Sequence, residues 1–346
     1  MREYFQFSSE DIKKYVIFIF LGSIAAYLAT SFSKDWVSYQ WFFDEIYVKT
    51  SWIELLMNST PFSEPLFFVT TKAALGFISL ANFLLLVGIA LFILKMHFLT
   101  KLIDDVFIVT FFYVCMYLFL FEGTALRIAY ATSFIIPSMY YLQKKKLLTS
   151  ILLFLIATQI QLTSVVFIIM YPLFIYRRLN FLVIALFVIA PLAILLNISA
   201  FNFVVDFTQL FSNKYLFYGQ DDIVKNQNST GLFYYFIGFF YMFVIAIGYY
   251  LKQQIMNEPF KRMIFSLAMI GCASMCLFYD HVVVGARVGE MLLISMVLLL
   301  TWLFQHFREK DLSLYNVVLI LIFMGYALAR FFYLYPTLAL NAEAFI

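Results

Sequence analysis

Apolar runs long enough to cross a hydrocarbon core as a helix, about 18 to 20 residues, recur along almost the whole of this chain. No other feature restricts the fold so severely. In hydrocarbon every backbone amide must be satisfied within the protein, so only helices and closed barrels can span it. Barrel strands read as segments of about ten residues with alternating polarity, whereas these runs are continuously apolar. The sequence therefore predicts an all-α polytopic membrane protein. With 64% hydrophobic and 12% charged residues, it lies outside the composition of soluble domains.

Orientation follows Lys and Arg in short loops, and the net charge of +3 says little about nucleic acid. A first span at 14–31 follows Lys13 and Lys14 and reads as a signal anchor. The outer loop at 32–64 carries Asp35, Asp44, Glu45, Glu54 and Glu64 among aromatics, which predicts a structured cap on the membrane surface. Ser63-Glu64-Pro65 reads as a helix start, with proline at the first helical position and an acid at the positive end. That helix is expected to continue through Leu94 to Lys101, its cytoplasmic end. The chain then crosses outward at 105–121 and returns on the helix carrying Arg127 to Lys144, Lys145 and Lys146. The stretch 147–176 is too short for two ordinary spans and a turn. Its polar run of Thr158, Gln159, Gln161, Thr163 and Ser164 predicts a hairpin of two short helices.

Further spans are expected at 181–198, 232–251, 263–279, 288–304 and 312–333, with a second outer loop at 199–230 and an outer link reading DHVVVGARVGE. Counted this way, about eleven segments form a single integral membrane domain, 1–346, with the amino terminus cytoplasmic and the carboxyl terminus outside. Most Lys and Arg then fall on the cytoplasmic side and most acids outside. Cys115, Cys272 and Cys276 lie in apolar runs and read as small hydrophobes, without metal-ligand spacing.

Charges at membrane depth or at outer helix ends are the candidates for chemistry: Asp35, Glu64, Lys72, Glu122, Arg127, Asp280, Arg287, Glu290 and Arg330. A guanidinium in hydrocarbon costs a few kcal/mol or more, so Arg127 needs a partner, a wet cavity or an anionic ligand. Lys72 and Arg330, near helix ends, read as snorkelling side chains. Glu290 follows Arg287 by three residues, a spacing for a pair on one helix face. Arg127 has two readings. It pairs with Glu122 or Glu64 across helices, or it converges with Arg287 on an outer vestibule suited to a diphosphate, which guanidinium groups bond in bidentate fashion. Asp35, followed by Trp36, Tyr39, Trp41, Phe42 and Phe43, is either a solvated loop acid or a general base beside aromatic faces that stack on sugar rings.

Several short motifs in order carry a resemblance. Asp35-Trp-Val-Ser-Tyr39, the Glu64-Pro65-Leu-Phe helix start, Arg127-Ile-Ala-Tyr, the run 157–164 and Gly-Ala-Arg287-Val-Gly-Glu290 together resemble the EpsG family of Wzy-like bacterial polysaccharide polymerases. The resemblance implies a GT-C-like glycosyltransferase of the bacterial inner membrane. It would join undecaprenyl-diphosphate-linked oligosaccharide repeat units on the outer face, without cofactor, nucleotide or metal. On that reading Arg127 and Arg287 stabilise the diphosphate leaving group, and Asp35 or Glu64 activates the acceptor hydroxyl. Tyr39, Lys72, Gln161, Tyr215, Tyr218, His281 and Glu290 are the expected substrate contacts. A chain-length regulator and a flippase are the expected protein partners. One departure stands out: where the family usually carries a histidine in the run 157–164, this chain has Gln161, which hydrogen-bonds a sugar but shuttles no proton.

Three rivals remain open in the sequence. A lipid-linked sugar flippase would show paired repeats and broken helices in matching positions, and no repeat is visible. A membrane O-acyltransferase would need a histidine at membrane depth, for which His281 is the candidate, since His97 and His306 fall in cytoplasmic turns. An O-antigen ligase differs from a polymerase mainly in its acceptor.

Overall fold

The computed structural model describes residues 9–32, 34–41, 43–44, 51–53, 65–197, 231–279, 282–309 and 314–342. They are helical nearly throughout, and no strand occurs among them. Four helices are long and apolar enough to cross a membrane, at Asp11–Ser31, Leu80–Leu102, Pro259–Leu277 and Val284–Glu309, joined by several shorter apolar helices. The chain is an all-α membrane protein. It divides into two compact units, Met1–Leu162 with Leu314–Ile346, and Thr163–Ser313.

In the first unit the Ser9–Phe32 helix packs along the Leu80–Leu102 helix. Small residues permit the approach. Ala25, Ala26 and Ala29 are buried, and a Cβ on Gly88 would sit 3.4 Å from that of Ala26. Without a hydrophobic force between helices in lipid, such close backbone contact is what holds them together. Leu80–Leu102 packs in turn on Leu126–Gln143, which pairs with Leu147–Ile160 across the lysine turn. That turn is closed by Lys145 in the left-handed region, φ 58°, and by a serine clasp. Ser138 Oγ donates to the Ser150 carbonyl at 2.8 Å, and Ser150 Oγ donates to the Ser138 carbonyl at 2.9 Å.

Three elements differ from the sequence reading. The helix expected from Pro65 to Lys101 is two, Pro65–Leu75 and Leu80–Leu102. Continuous, it would run to about 55 Å at 1.5 Å per residue, well beyond a bilayer core. Gly76 relaxes the chain, and Ser79 caps the second helix by accepting from the Asn82 amide at 3.3 Å. The segment from Asp105 begins as an α-helix, Val106–Tyr113, capped by Asp105 on the Ile108 amide, then widens into a π-helix, Val114–Glu122. The expected span at 288–304 is Val282–Leu293 followed by Ser295–Glu309, with tighter turns around Ile294. The predicted break near Gln161 is present. Leu147–Ile160 ends there in extended backbone, φ −145° and ψ 115°, and a 3-10 helix, Leu162–Ile169, follows, then Met170–Ile175.

The second unit is built around Pro259–Leu277. Leu179–Leu195, Gly231–Tyr250, Val282–Leu293 and Ser295–Glu309 all pack on it, and its apolar window is 78% buried, against 28% for Asp11–Ser31. A Cβ on Gly289 would lie 2.6 Å from Met275 Cγ and 3.0 Å from the Gly271 carbonyl. Glycine at both positions lets the two helices meet backbone to backbone.

Candidate functional site

Three buried charged residues of the first unit, Lys95, Glu122 and Arg330, meet on the π-helix. On the Leu80–Leu102 helix the buried positions Leu84, Gly88, Phe92, Lys95, Met96 and Leu99 form one stripe at helical spacing. Lys95 is part of it and is fully buried. Its ammonium donates to Tyr113 Oη at 3.0 Å and makes an ion pair with Glu122 Oε1. The Tyr113 hydroxyl donates to the same carboxylate oxygen at 2.5 Å. Burial of an ion pair is costly unless further hydrogen bonds support it, and Tyr113 makes one with each partner.

The π-helix makes this arrangement possible. Each of its turns takes in one more residue than an α-turn, so Glu122 comes round to a face it would not reach in a regular helix started at Asp105. The wider ladder runs on past its end, with the Gly123 amide on the Leu118 carbonyl and the Ala125 amide on the Leu120 carbonyl. Arg330 holds the same element from another side. Only 4% exposed, it donates from Nε to the Met116 carbonyl at 3.1 Å and lies over the Tyr117 ring.

Five residues beyond Glu122, Arg127 occupies the second position of the Leu126–Gln143 helix. The turn at Gly123 and Thr124 starts the helix late: Thr124 Oγ1 donates to the Leu120 carbonyl at 2.5 Å. Ala125 offers no side-chain cap. The first amides of the helix and the guanidinium therefore stand together, and both favour an anion. Arg127 is half-buried. Its Nε donates to Tyr39 Oη at 3.2 Å, and its guanidinium lies 5.8 Å from the centre of the Tyr39 ring. Tyr39, on the Lys34–Trp41 helix, packs on Phe67, which packs on Tyr130; the Tyr130 hydroxyl donates to the Leu84 carbonyl at 2.9 Å.

Several expectations need correction. Glu122 pairs with Lys95, not with Arg127, because the π-helix turns its carboxylate toward the lysine. Lys95 is an interior residue and not a cytoplasmic helix end. Arg330 does not snorkel; it lies inside Leu314–Ala342 and faces the Met116 carbonyl. His97 lies within the Leu80–Leu102 helix, where Nδ1 and Tyr15 Oη are 2.6 Å apart. The structure does bring Tyr39 to Arg127, and it sets Lys72 over the Trp52 ring at 5.3 Å. Gln161 is buried at the helix break.

In the second unit Arg287, half-buried, and Glu290, buried, share Val282–Leu293. The next residue, Met291, accepts from Thr163 Oγ1 at 3.2 Å. Glu64, Tyr215, Tyr218, Asp280 and His281 lie outside the described residues, as does the side chain of Asp35, whose backbone is in the Lys34–Trp41 helix. The three cysteines are free and buried, as small hydrophobes would be.

Sequence reasoning missed Lys95 and Tyr113. The 84, 88, 92, 95, 99 spacing is the signal that places Lys95 on the interior stripe. Nothing comparable announces the π-helix. A family model described as the EpsG family matches residues 12–342. No curated protein and no solved structure matches the chain.

Proposed function

Because the chain belongs to the EpsG family, the family of Wzy-like polysaccharide polymerases, we propose that it joins undecaprenyl-diphosphate-linked oligosaccharide repeat units on the outer face of the bacterial inner membrane. Its amino terminus is then cytoplasmic, and the architecture is GT-C-like with about eleven membrane segments. The observation that carries this reading is Arg127: a cation beside the uncapped amino end of an 18-residue helix, oriented by Tyr39.

In the proposed step an acceptor hydroxyl oxygen attacks the anomeric carbon of a second unit. The bond from that carbon to the diphosphate oxygen breaks, and the lipid diphosphate leaves with the bond's electron pair. Its charge develops against the Arg127 guanidinium and the helix amides, which are fixed before reaction and so stabilise the transition state without reorganising. The hydroxyl proton passes to a carboxylate, Asp35 or Glu64. Arg287 is assigned the same anion-binding chemistry by its motif, and its role is tested by its own substitution. Tyr39, Lys72, Gln161, Tyr215, Tyr218, His281 and Glu290 are proposed substrate contacts, with a chain-length regulator and a flippase as protein partners.

The test is a gel of surface and lipid-linked polysaccharide from cells carrying wild type, Arg127→Ala or Arg287→Ala at matched membrane levels. Collapse of the ladder to one capped repeat unit supports polymerisation. An unchanged ladder with altered acetylation, or with units trapped inside the cell, moves the assignment to an acyltransferase or a flippase.

A further inference from the structure

The Lys34–Trp41 helix has two working faces. One carries Tyr39 to Arg127. The other, with Asp44 just beyond the helix end, lines an open cleft of about 550 Å³, walled on its far side by the turn from Leu75 to Ala81. Tyr39 and Phe43 are buried, whereas Trp36 and Gln40, four apart on the helix, reach the cleft together with Asp44. Gly76 keeps the opposite wall low, since a Cβ there would meet only the Ala73 carbonyl at 3.9 Å. Beside it Phe77 is 90% exposed.

The lining selects a ligand class. The charged side chain among the described lining residues is the Asp44 carboxylate, which repels a phosphate or other anion. Asp44 and Gln40 make it a poor place for a purely apolar group, whose burial would strip their water without replacing their hydrogen bonds. A neutral, hydroxyl-rich ring satisfies all three side chains. The carboxylate accepts from hydroxyl groups, the amide both donates and accepts, and the indole face covers the ring's C–H surface. The volume lies within the usual range of small-ligand pockets, about 300–1,000 Å³.

We infer that this cleft is a saccharide-binding subsite, with Trp36 as the stacking platform and Gln40 and Asp44 as the hydroxyl-reading pair. As a subsite for the acceptor chain it rests on the polymerase reading; as a sugar site it does not. One short helix then couples the two tasks, holding the acceptor on one face and orienting Arg127 with the other.

The test uses the purified full-length protein with Phe77→Cys, a cleft-lining position with no role in reading the sugar, labelled by a maleimide. Native thiols do not interfere, since Cys115, Cys272 and Cys276 are buried. The probe is a mixture of oligosaccharides released by partial acid hydrolysis of the host's own surface polysaccharide. At about ten times its Kd the probe is expected to slow labelling about ten-fold. Protection should vanish in a Trp36→Ala background and persist with Trp36→Phe. A Leu148→Cys control, at an exposed position on the lysine-turn helix, should label equally with and without probe. Equal labelling of Phe77→Cys with and without oligosaccharide overturns the subsite, as does equal protection of Leu148→Cys. The polymer ladder separates the two readings. If Arg127→Ala abolishes polymer while Asp44→Ala leaves its length unchanged, the subsite fails and the polymerase stands. If Phe77→Cys is protected while polymer is insensitive to Arg127→Ala, the sugar site stands and the polymerase fails.

Discussion

The Leu80–Leu102 helix of the first unit buries a lysine against a tyrosine and a glutamate. The Pro259–Leu277 helix, centre of the second, buries Ser266, Ala268, Gly271, Cys272, Ala273 and Ser274. Arg262, the arginine on that second helix, sits in its first turn and reaches the Met256 carbonyl. The first interior adds a buried ion pair to close backbone approach, whereas the described contacts of the second helix rest chiefly on small residues and close backbone approach. Close packing is the less costly way to build a rigid bundle in lipid. A desolvated ion pair adds little net stability, but it fixes one geometry and penalises every other. The charged interior is also the one that ends, five residues after Glu122, in Arg127. On the proposed function, the first unit therefore positions the reactive group.

The contrast can be broken first at Lys95. Replacing it with alanine leaves the Glu122 carboxylate buried without its counter-charge and should cost about 3–5 kcal/mol, read as a lowered midpoint of thermal unfolding in detergent. The double change Lys95→Met with Glu122→Leu should recover most of that stability. It should not recover polymer, because the π-helix loses the contact that fixes its carboxyl-terminal end. Full recovery of both would mean that the charges do nothing a hydrophobic pair cannot do.

In the second unit the sensitive positions are glycines. Gly289→Val would drive a side chain into Met275 and the Gly271 carbonyl, an overpacking cost of about 1–3 kcal/mol. Gly22→Ala in the first unit meets chiefly the Phe92 side chain, at 3.2 Å, and should be nearly neutral. If the two changes were equally harmful by the same unfolding assay, the distinction between the interiors would fall.

Smaller effects sharpen the picture. Ser138→Ala removes one side of the serine clasp and should cost roughly 0.6–1.7 kcal/mol, the scale of interhelical hydrogen bonds in membranes. Tyr39→Phe keeps the ring beneath Arg127 and removes only the hydroxyl. Stability should fall by about 1 kcal/mol, the scale of one hydrogen bond, while polymerisation slows several-fold. Unchanged polymer yield would separate Tyr39 from the chemistry.

Much of the framework was legible because apolar run length and cap residues act locally. The helix start at Pro65, the segment beginning near Asp105 and the break at Gln161 all stand where sequence placed them. The pairing of Glu122 was not legible. Its face depends on how many π-turns precede it, and no residue type in Val114–Glu122 encodes a π-helix in the way that glycine or proline encodes a turn. Lys95 was missed because the basic residues after it drew it to the helix end, although its helical spacing with Leu84, Gly88, Phe92 and Leu99 marks the interior stripe. Arg330 was misread for a similar reason, since nothing near it in sequence announces the Met116 carbonyl as its partner.

The most direct test of the central claim is reconstitution. Purified protein in lipid vesicles is supplied with undecaprenyl-diphosphate-linked repeat units from the host, and joined product is measured together with released lipid diphosphate. The account predicts products of two or more units, one lipid diphosphate released per new linkage, and loss of both with Arg127→Ala. Repeat units that cross the bilayer without being joined, or that are joined equally well by Arg127→Ala, would contradict it.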